Sequence, residues 1–459
     1  MISYPGYEQL IQRVYDEGQG HLFLYWEDLS DVQRRTLLEV LLAVDFELIK
    51  SLYQQSLSEG HHDTDFEPAP YRALPESDAD LREYAKARSA GEEHLRQGKV
   101  AAFLVAGGQG TRLGYDGPKG MYPVAPVSGK TLFQIHAEKI CKYSQKYKTS
   151  LPWMIMTSRD NHDETMTYFR NRGFFGLPEG DVFIFPQNMI PSLDESGKLI
   201  LESPCTLFKN PDGHGGSLSA LADSGILEIL KKRGIQTISY FQVDNPLVRI
   251  IDPAFIGFHI LGDIDVSSKA LKKTSPDEKV GVFVHFRKGG IGIAEYSDLS
   301  REKQQERDAE GNLRYNMGNP AIHLFKLEFI ERITGGVLSL PYHIARKMIR
   351  RYSPQGGENT PGMKFEKFVF DALLMTDRDL VFETERESEF GPVKNSAGED
   401  SVETSCKLMD RMFRRWLAER CIKITDSVRV VEISPLLAVE AEDIPAGLEV
   451  PEQEALYLE

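Results

Sequence analysis

The sequence predicts an α/β protein. The expected architecture is a mixed, mostly parallel central sheet with helices on both faces, a helical N-terminal part and a small β-containing C-terminal domain. Three observations point there. From residue 100 onward, short apolar runs alternate with stretches of helical periodicity. Polar signals fall at the carboxyl ends of three of those runs, at Gly107–Lys119, at Gln187 and at Asp244, and open α/β sheets hold their ligands at such ends. Beyond residue 280 the pattern shifts toward antiparallel strands.

Taken in order, residues 1 to about 58 read as helices, with Leu37, Leu38, Leu41, Leu42 and Phe46 at helical spacing. Residues 59–76, with Gly60, Pro68, Pro70 and Pro75, read as a linker. His61, His62, Asp63 and Asp65 are potential metal ligands there, but nothing in a polar linker fixes their geometry, and a solvated cluster is the better reading. Ser77 with Asp80 is a capping signal for a helix over 79–96, which Gly98 closes. The all-apolar run Val100-Ala-Ala-Phe-Leu-Val105 is a buried strand.

Past residue 130, helices are predicted over 132–147, 161–171 and 220–233, and strands over 152–157, 182–185 and 237–243. Strands over 280–286 and 291–295 are joined through Lys288-Gly-Gly290, and 302–306 is a short charged helix. Residues 316–325 read as one strand containing Gly318-Asn-Pro320, and Arg346–Arg351 as a solvated helix face. A helix over 366–375, a strand over 380–383 and a helix over 402–420 follow, then β segments at 428–433 and 438–440. The expected domains are 1–98 (helical), 99–400 (catalytic) and 401–459 (small, C-terminal).

Composition narrows the function classes. The 459 residues are 41% hydrophobic and carry a net charge of −15, which argues against nonspecific nucleic-acid binding. No run approaches the length of apolar residues that a membrane span needs. Residues 1–8 lack the basic and then apolar regions of a signal peptide. Four cysteines without Cys-x-x-Cys spacing suggest free thiols in a reducing compartment, so the expected location is cytoplasmic.

An acidic protein that binds phosphates must concentrate its cations locally. The stretch Leu104-Val-Ala-Gly-Gly-Gln-Gly-Thr-Arg-Leu-Gly-Tyr-Asp-Gly-Pro-Lys-Gly-Met-Tyr122 does so with Arg112 and Lys119 among glycines 107, 108, 110 and 114. Glycines let successive backbone N–H groups approach an anion. A Walker A loop is excluded, because Lys119 is followed by Gly120 rather than Ser or Thr. A dinucleotide fingerprint is excluded by the spacing Gly108-x-Gly110-x-x-x-Gly114 and by the lack of Asp or Glu over 124–133.

Gly107–Gly114 together with Pro118-Lys-Gly-Met-Tyr122 closely resembles the signature loop of eukaryotic-type UDP-N-acetylhexosamine pyrophosphorylases, members of the UDP-sugar pyrophosphorylase superfamily. The resemblance spans roughly residues 80–440 and implies a Rossmann-like catalytic domain. It implies nucleotide contacts from Val105, Ala106, Gly107 and Gly108, and phosphate neutralisation by Arg112 and Lys119. Pro186-Gln-Asn-Met189 matches the segment that reads uracil, here Gln187, and Pro211-Asp-Gly-His-Gly-Gly216 places Gly213 against the base. Val243-Asp-Asn-Pro246 supplies Asp244 for Mg²⁺ (or another divalent cation) and the nucleotide phosphates. Glu295, Tyr296 and Asn319 match sugar contacts. Met363–Phe370 supplies Lys364 for phosphate and Phe368 and Phe370 for the sugar, and Glu389–Asn395 supplies Lys394 for phosphate.

The implied reaction joins UTP and N-acetylglucosamine 1-phosphate into UDP-N-acetylglucosamine and pyrophosphate. One residue departs from the pattern: His214, facing the sugar, stands where the N-acetyl enzymes usually carry Asn and the UDP-glucose enzymes His. A UDP-glucose or broad UDP-sugar pyrophosphorylase is therefore the alternative within the class. A non-catalytic UDP-sugar sensor is the alternative outside it, disfavoured because binding alone does not need Arg112, Lys119, Asp244 and Lys394 together.

Overall fold

In the structure, a computed structural model, the described residues are 2–58, 65–336 and 339–459. His61, His62, Asp63 and most of the first half of the linker lie outside them. Two compact units emerge. One comprises residues 1–62, 188–216 and 340–369, the other 63–187, 217–339 and 370–459. This division runs along different lines from the expected segments 1–98, 99–400 and 401–459, because the N-terminal helices share a core with two later insertions.

In the first unit the helices Glu8–Asp16, Asp31–Leu42 and Phe46–Ser58 bury Val14, Leu37, Leu38, Leu41 and Leu52. The same cluster holds Ile190, Leu193, Leu201, Met363 and Phe365. These come from short strands within 189–211, which the sequence reading did not anticipate, and from the strand Glu358–Glu366. Residues 343–351 form a strand antiparallel to Glu358–Glu366, not the helix face expected for Arg346–Arg351. A run of charges carries little hydrophobic periodicity, and here strand pairing decided its conformation. Glu366 likewise closes a strand, so the helix expected over 366–375 shrinks to a 3₁₀ segment, Val369–Met375.

The second unit is built on a sheet of eleven of the described strands. Thr237–Gln242, Val100–Val105, Trp153–Thr157 and Val182–Pro186 lie side by side and parallel. On the far side of Thr237–Gln242 the pairing turns antiparallel, through His323–Lys326 to Val266–Lys272 and on to Val282–Phe286, while Asp379–Glu383 runs parallel to Val266–Lys272. The sheet is thus mixed, with its parallel half under the glycine loop. Val100 to Leu104 are all buried, as a strand covered on both faces requires. Ala102 and Leu104 join Leu132, Phe133 and Ile140 of the helix Leu132–Tyr147 on one face. Phe103 meets the rings of Tyr240 and Phe185 on the other.

Several expected elements change at glycines or turns. The helix expected over 220–233 is two helices, Gly216–Asp223 and Ile226–Lys232, parted at Gly225 (φ 74°). The strand expected over 316–325 is two, Met317–Gly318 and His323–Lys326, split where Ala321 adopts φ 57°. The helix Pro253–Leu261 and the strand Val266–Lys272 were not anticipated. That helix packs closely on Asp78–Arg96: a Cβ on Gly257 would lie 1.8 Å from the Ala87 carbonyl oxygen, so this contact admits only glycine. The C-terminal helix Val402–Glu419 covers Val430–Ile433, whose partner is the parallel strand Ala455–Leu458, and the β segment expected at 438–440 is not a strand. No helix among the described residues is long and apolar enough to cross a membrane.

Candidate active site

Gly107, Gln187 and Asp244 all lie just beyond the carboxyl ends of the adjacent parallel strands. The glycine loop leaves the strand after Val105 and the buried Ala106, then folds back on itself. Gly110 N–H donates to Gly117 O at 2.9 Å, and Lys119 N–H donates to Gly108 O at 3.0 Å. This fold-back carries the Lys119 side chain past Gly108, whose Cβ position would be 3.9 Å from Lys119 Cε. Arg112 is exposed on the 3₁₀ turn Thr111–Leu113, which Leu113 anchors in the core. Gln187 is buried, donates its backbone N–H to Thr157 O at 2.7 Å, and brings its Oε1 within 3.4 Å of where a Gly107 side chain would begin.

Lys119 Nζ stands 3.5 Å from Asp244 Oδ2, and both side chains are largely buried. That distance exceeds a tight charge-assisted hydrogen bond. The pair is oriented but not locked. Asp244 O accepts the Val393 N–H at 2.8 Å, so the segment bearing Lys394 adjoins the Asp244 turn. The Lys394 ammonium itself donates to Asp400 Oδ2 at 3.1 Å and lies 5.6 Å from the Phe390 ring.

Glu295 and Asn319 meet around Gly281. Asn319 N–H donates to Gly281 O at 2.9 Å, and a Gly281 Cβ would lie 3.1 Å from Glu295 Oε1. Tyr296 beside them is exposed, and Phe370 is buried.

The remaining sequence-derived residues belong to the first unit. Gly213 adopts φ 83°, and a Cβ there would strike the Lys367 carbonyl at 2.4 Å, so glycine is required. Its neighbour His214 is half-buried, and its Nδ1 accepts the Val369 N–H at 3.2 Å. Burial, then the charge of His343, pushes His214 down to about 4. The ring is therefore neutral at pH 7, and with Nδ1 accepting, its proton is on Nε2. Phe368 stacks with His214 at 5.4 Å and with His343 at 4.5 Å. Lys364 Nζ lies 5.4 Å from the Phe208 ring.

Four supporting residues escaped the sequence reading. Asn161, fully buried, donates from Nδ2 to Ala106 O (3.2 Å) and Gly108 O (3.4 Å), fixing the start of the glycine loop. His136 Nε2 lies 3.1 Å from Val243 O; burial pushes this ring down to about 3, so it is neutral and donates. Lys139 Nζ donates to Pro246 O (2.6 Å) and Val248 O (2.8 Å) in the Asp244 turn. His343 backs Phe368. Only the i, i+3 spacing of His136 and Lys139 on a predicted helix offered any signal.

Asp244 belongs to no cluster of three His, Cys, Asp or Glu suited to a metal, and none exists among the described residues. A site with one or two carboxylates would fit a hard divalent cation that takes its other ligands from phosphate and water, as Mg²⁺ does.

Comparison with known proteins accords with this geometry. UDP-N-acetylglucosamine diphosphorylase 2 of Arabidopsis thaliana is 35% identical over 96% of this chain and 91% of its own length. UDP-N-acetylglucosamine pyrophosphorylase of Saccharomyces cerevisiae is 32% identical over 94% of each. The crystal structure of the Trypanosoma brucei uridine diphosphate N-acetylglucosamine pyrophosphorylase in complex with inhibitor superimposes with a TM-score of 0.84 at 26% identity, covering 100% of this chain and 99% of that one. Residues 46–437 match the family described as UTP–glucose-1-phosphate uridylyltransferase, and the chain belongs to that family.

Proposed function

We propose that this protein is a uridylyltransferase that converts UTP and N-acetylglucosamine 1-phosphate to UDP-N-acetylglucosamine and pyrophosphate, reversibly. The observation that carries the reading is the Lys119–Asp244 pair at the carboxyl ends of parallel strands, 3.5 Å apart beside a glycine loop. A cation and a metal-type carboxylate together serve transfer at phosphorus better than binding alone. The full-length relatives named for UDP-N-acetylglucosamine support the sugar.

The sugar-phosphate oxygen attacks the α-phosphorus of UTP. The new P–O bond forms as the bond to the β-phosphate oxygen breaks, and pyrophosphate departs with the electron pair. The attacking phosphate is already ionised at pH 7, so no general base is required, and positioning with charge neutralisation carries the rate. Arg112 and Lys119 stabilise the pyrophosphate side. Lys394 and Lys364 steady the sugar phosphate and the α-phosphate. Gln187 pairs its amide with the uracil edge, and Gly107, Gly108 and Gly213 let backbone approach the nucleoside. Glu295, Tyr296, Asn319 and Phe370 are the sugar contacts of the second unit, and Phe368 is that of the first. A divalent cation held at Asp244 would neutralise phosphate charge.

One observation favours a second reading. The neutral His214, with its proton on Nε2, is a donor suited to a bare sugar hydroxyl, which is what a glucose 1-phosphate enzyme needs. Following pyrophosphate release from UTP with a panel of sugar 1-phosphates separates the two. A glucose preference above tenfold would give the activity to the second reading.

A further inference from the structure

Asp244 and Lys394 come from distant segments, and the structure shows what joins them. Besides the Val393–Asp244 backbone bond, Asn245 reaches across with both ends of its amide. Nδ2 donates to Glu389 O at 2.7 Å, and Oδ1 accepts the Gly391 N–H at 3.1 Å. The same oxygen accepts the Leu247 N–H at 3.3 Å, closing its own turn. Asn245 is only 4% exposed. A residue serving its turn alone would need just the Leu247 bond, so the two bonds to residues 389–391 call for another role.

The clasped segment is itself anchored. Both Glu389 carboxylate oxygens lie 2.6 Å from Lys269 Nζ, and Thr384 Oγ1 donates to Oε1 at 2.7 Å. Lys269 is fully buried and also donates to Asp252 at 2.8 Å. Ser405 Oγ donates to Gly391 O at 2.8 Å. Beyond the clasp, Lys394 and Asn395 donate their backbone N–H groups to Asp400 O at 2.6 and 3.0 Å.

We propose that Asn245 is a positioning residue: its amide ties the 389–391 backbone to the Asp244 turn, so that the Asp244 carboxylate and the Lys394 ammonium meet the nucleotide phosphates as one preset unit. This rests on the phosphate roles assigned above to Asp244 and Lys394. Losing such a supporting contact typically costs about 10–100-fold in activity or metal affinity.

The test is a double-mutant cycle on kcat/KM with UTP, using Asn245→Ala, Lys394→Ala and the pair. The expected result is a loss of about 10–100-fold for Asn245→Ala, and a far smaller effect of Lys394→Ala in that background than in the wild type. Asn245→Asp keeps the side-chain shape and the bond from Gly391, but sets an oxygen against the Glu389 carbonyl. It should match the alanine variant, and it carries the same cycle if the alanine variant fails to fold. An Asn245→Ala rate within twofold of wild type overturns the proposal. So does a full-sized Lys394→Ala loss in both backgrounds, which would leave Asn245 a merely structural residue and the assigned chemistry standing. A silent Lys394→Ala in wild type removes the phosphate role of Lys394, and the positioning proposal falls with it.

Discussion

Lys119 Nζ lies 3.5 Å from Asp244 Oδ2, the meeting of a loop cation with the first carboxylate beyond a neighbouring strand. A preorganised cation aimed at charge that develops on pyrophosphate is worth about 3–4 kcal/mol. Lys119→Ala is therefore expected to lower kcat about 10²–10³-fold, and Lys119→Arg to rescue poorly, since a planar fork does not fit a niche shaped for a point charge. An alanine variant retaining more than a tenth of the wild-type rate at saturating UTP removes the assigned role.

The proposed pairing of uracil with Gln187, buried beside Gly107, predicts base selectivity. A site that hydrogen-bonds a substrate group rejects analogues that leave its polar atoms unpaired. UTP is expected to be strongly preferred over CTP, with purine triphosphates inactive, in a comparison of kcat/KM values. Equal turnover of ATP would discard the uridine contact while leaving the reaction class intact.

Three parts of the candidate site carried a local signal, while Gly213, His214, Glu295, Asn319, Lys364, Phe368 and Lys394 came from the family resemblance alone. The glycine loop, Gln187 and Asp244 all end apolar runs, and the helix Leu132–Tyr147 and the Ser77–Asp80 cap stand where the periodicity put them. The supporting shell was not legible. Asn161 and Asn245 act through backbone partners far away in sequence, and no pattern marks an amide as a clasp. The helix Pro253–Leu261 is apolar nearly all round, so it offers little amphipathic period. The strands within 189–211 span two or three residues each, too short to alternate visibly.

The proposed sugar-facing role of His214 is open to a direct test. The substitution His214→Asn removes the ring stacked with Phe368 and places a smaller amide there. The kcat/KM ratio of N-acetylglucosamine 1-phosphate to glucose 1-phosphate is expected to rise in the variant. A fall in that ratio would show that the imidazole instead favours the N-acetyl sugar.

Acid should destabilise the fold through buried neutral histidines. Burial pushes His94 and His214 down to about 4, and His136 and His259 to about 3, from an ordinary 6.5. Below pH 6.5 the unfolded chain takes up protons that the folded chain refuses, so stability falls as pH drops toward 4. His136→Gln keeps a donor for the Val243 carbonyl and cannot titrate. Between pH 4 and 5.5 the dependence of its unfolding free energy on pH should be shallower by about 1.4 kcal/mol per unit. Urea unfolding at several pH values checks this, and parallel curves for the two proteins would refute it.

Gly257→Ala tests the helix contact. The added methyl meets the Ala87 backbone, where no side chain can yield. Overpacking of this kind costs about 1–3 kcal/mol, so a lower melting temperature is expected with little change in kcat for the folded fraction. An unchanged melting temperature would mean the helices part freely.

A site that transfers a uridylyl group differs in its products from one that merely holds a UDP-sugar. The direct measurement mixes the protein with UTP, N-acetylglucosamine 1-phosphate and Mg²⁺, and counts pyrophosphate against UDP-N-acetylglucosamine. Both are expected in equal amounts, with turnover depending on Lys119. Tight binding of UDP-N-acetylglucosamine with no pyrophosphate released from UTP, whatever sugar 1-phosphate is supplied, would contradict uridylyl transfer.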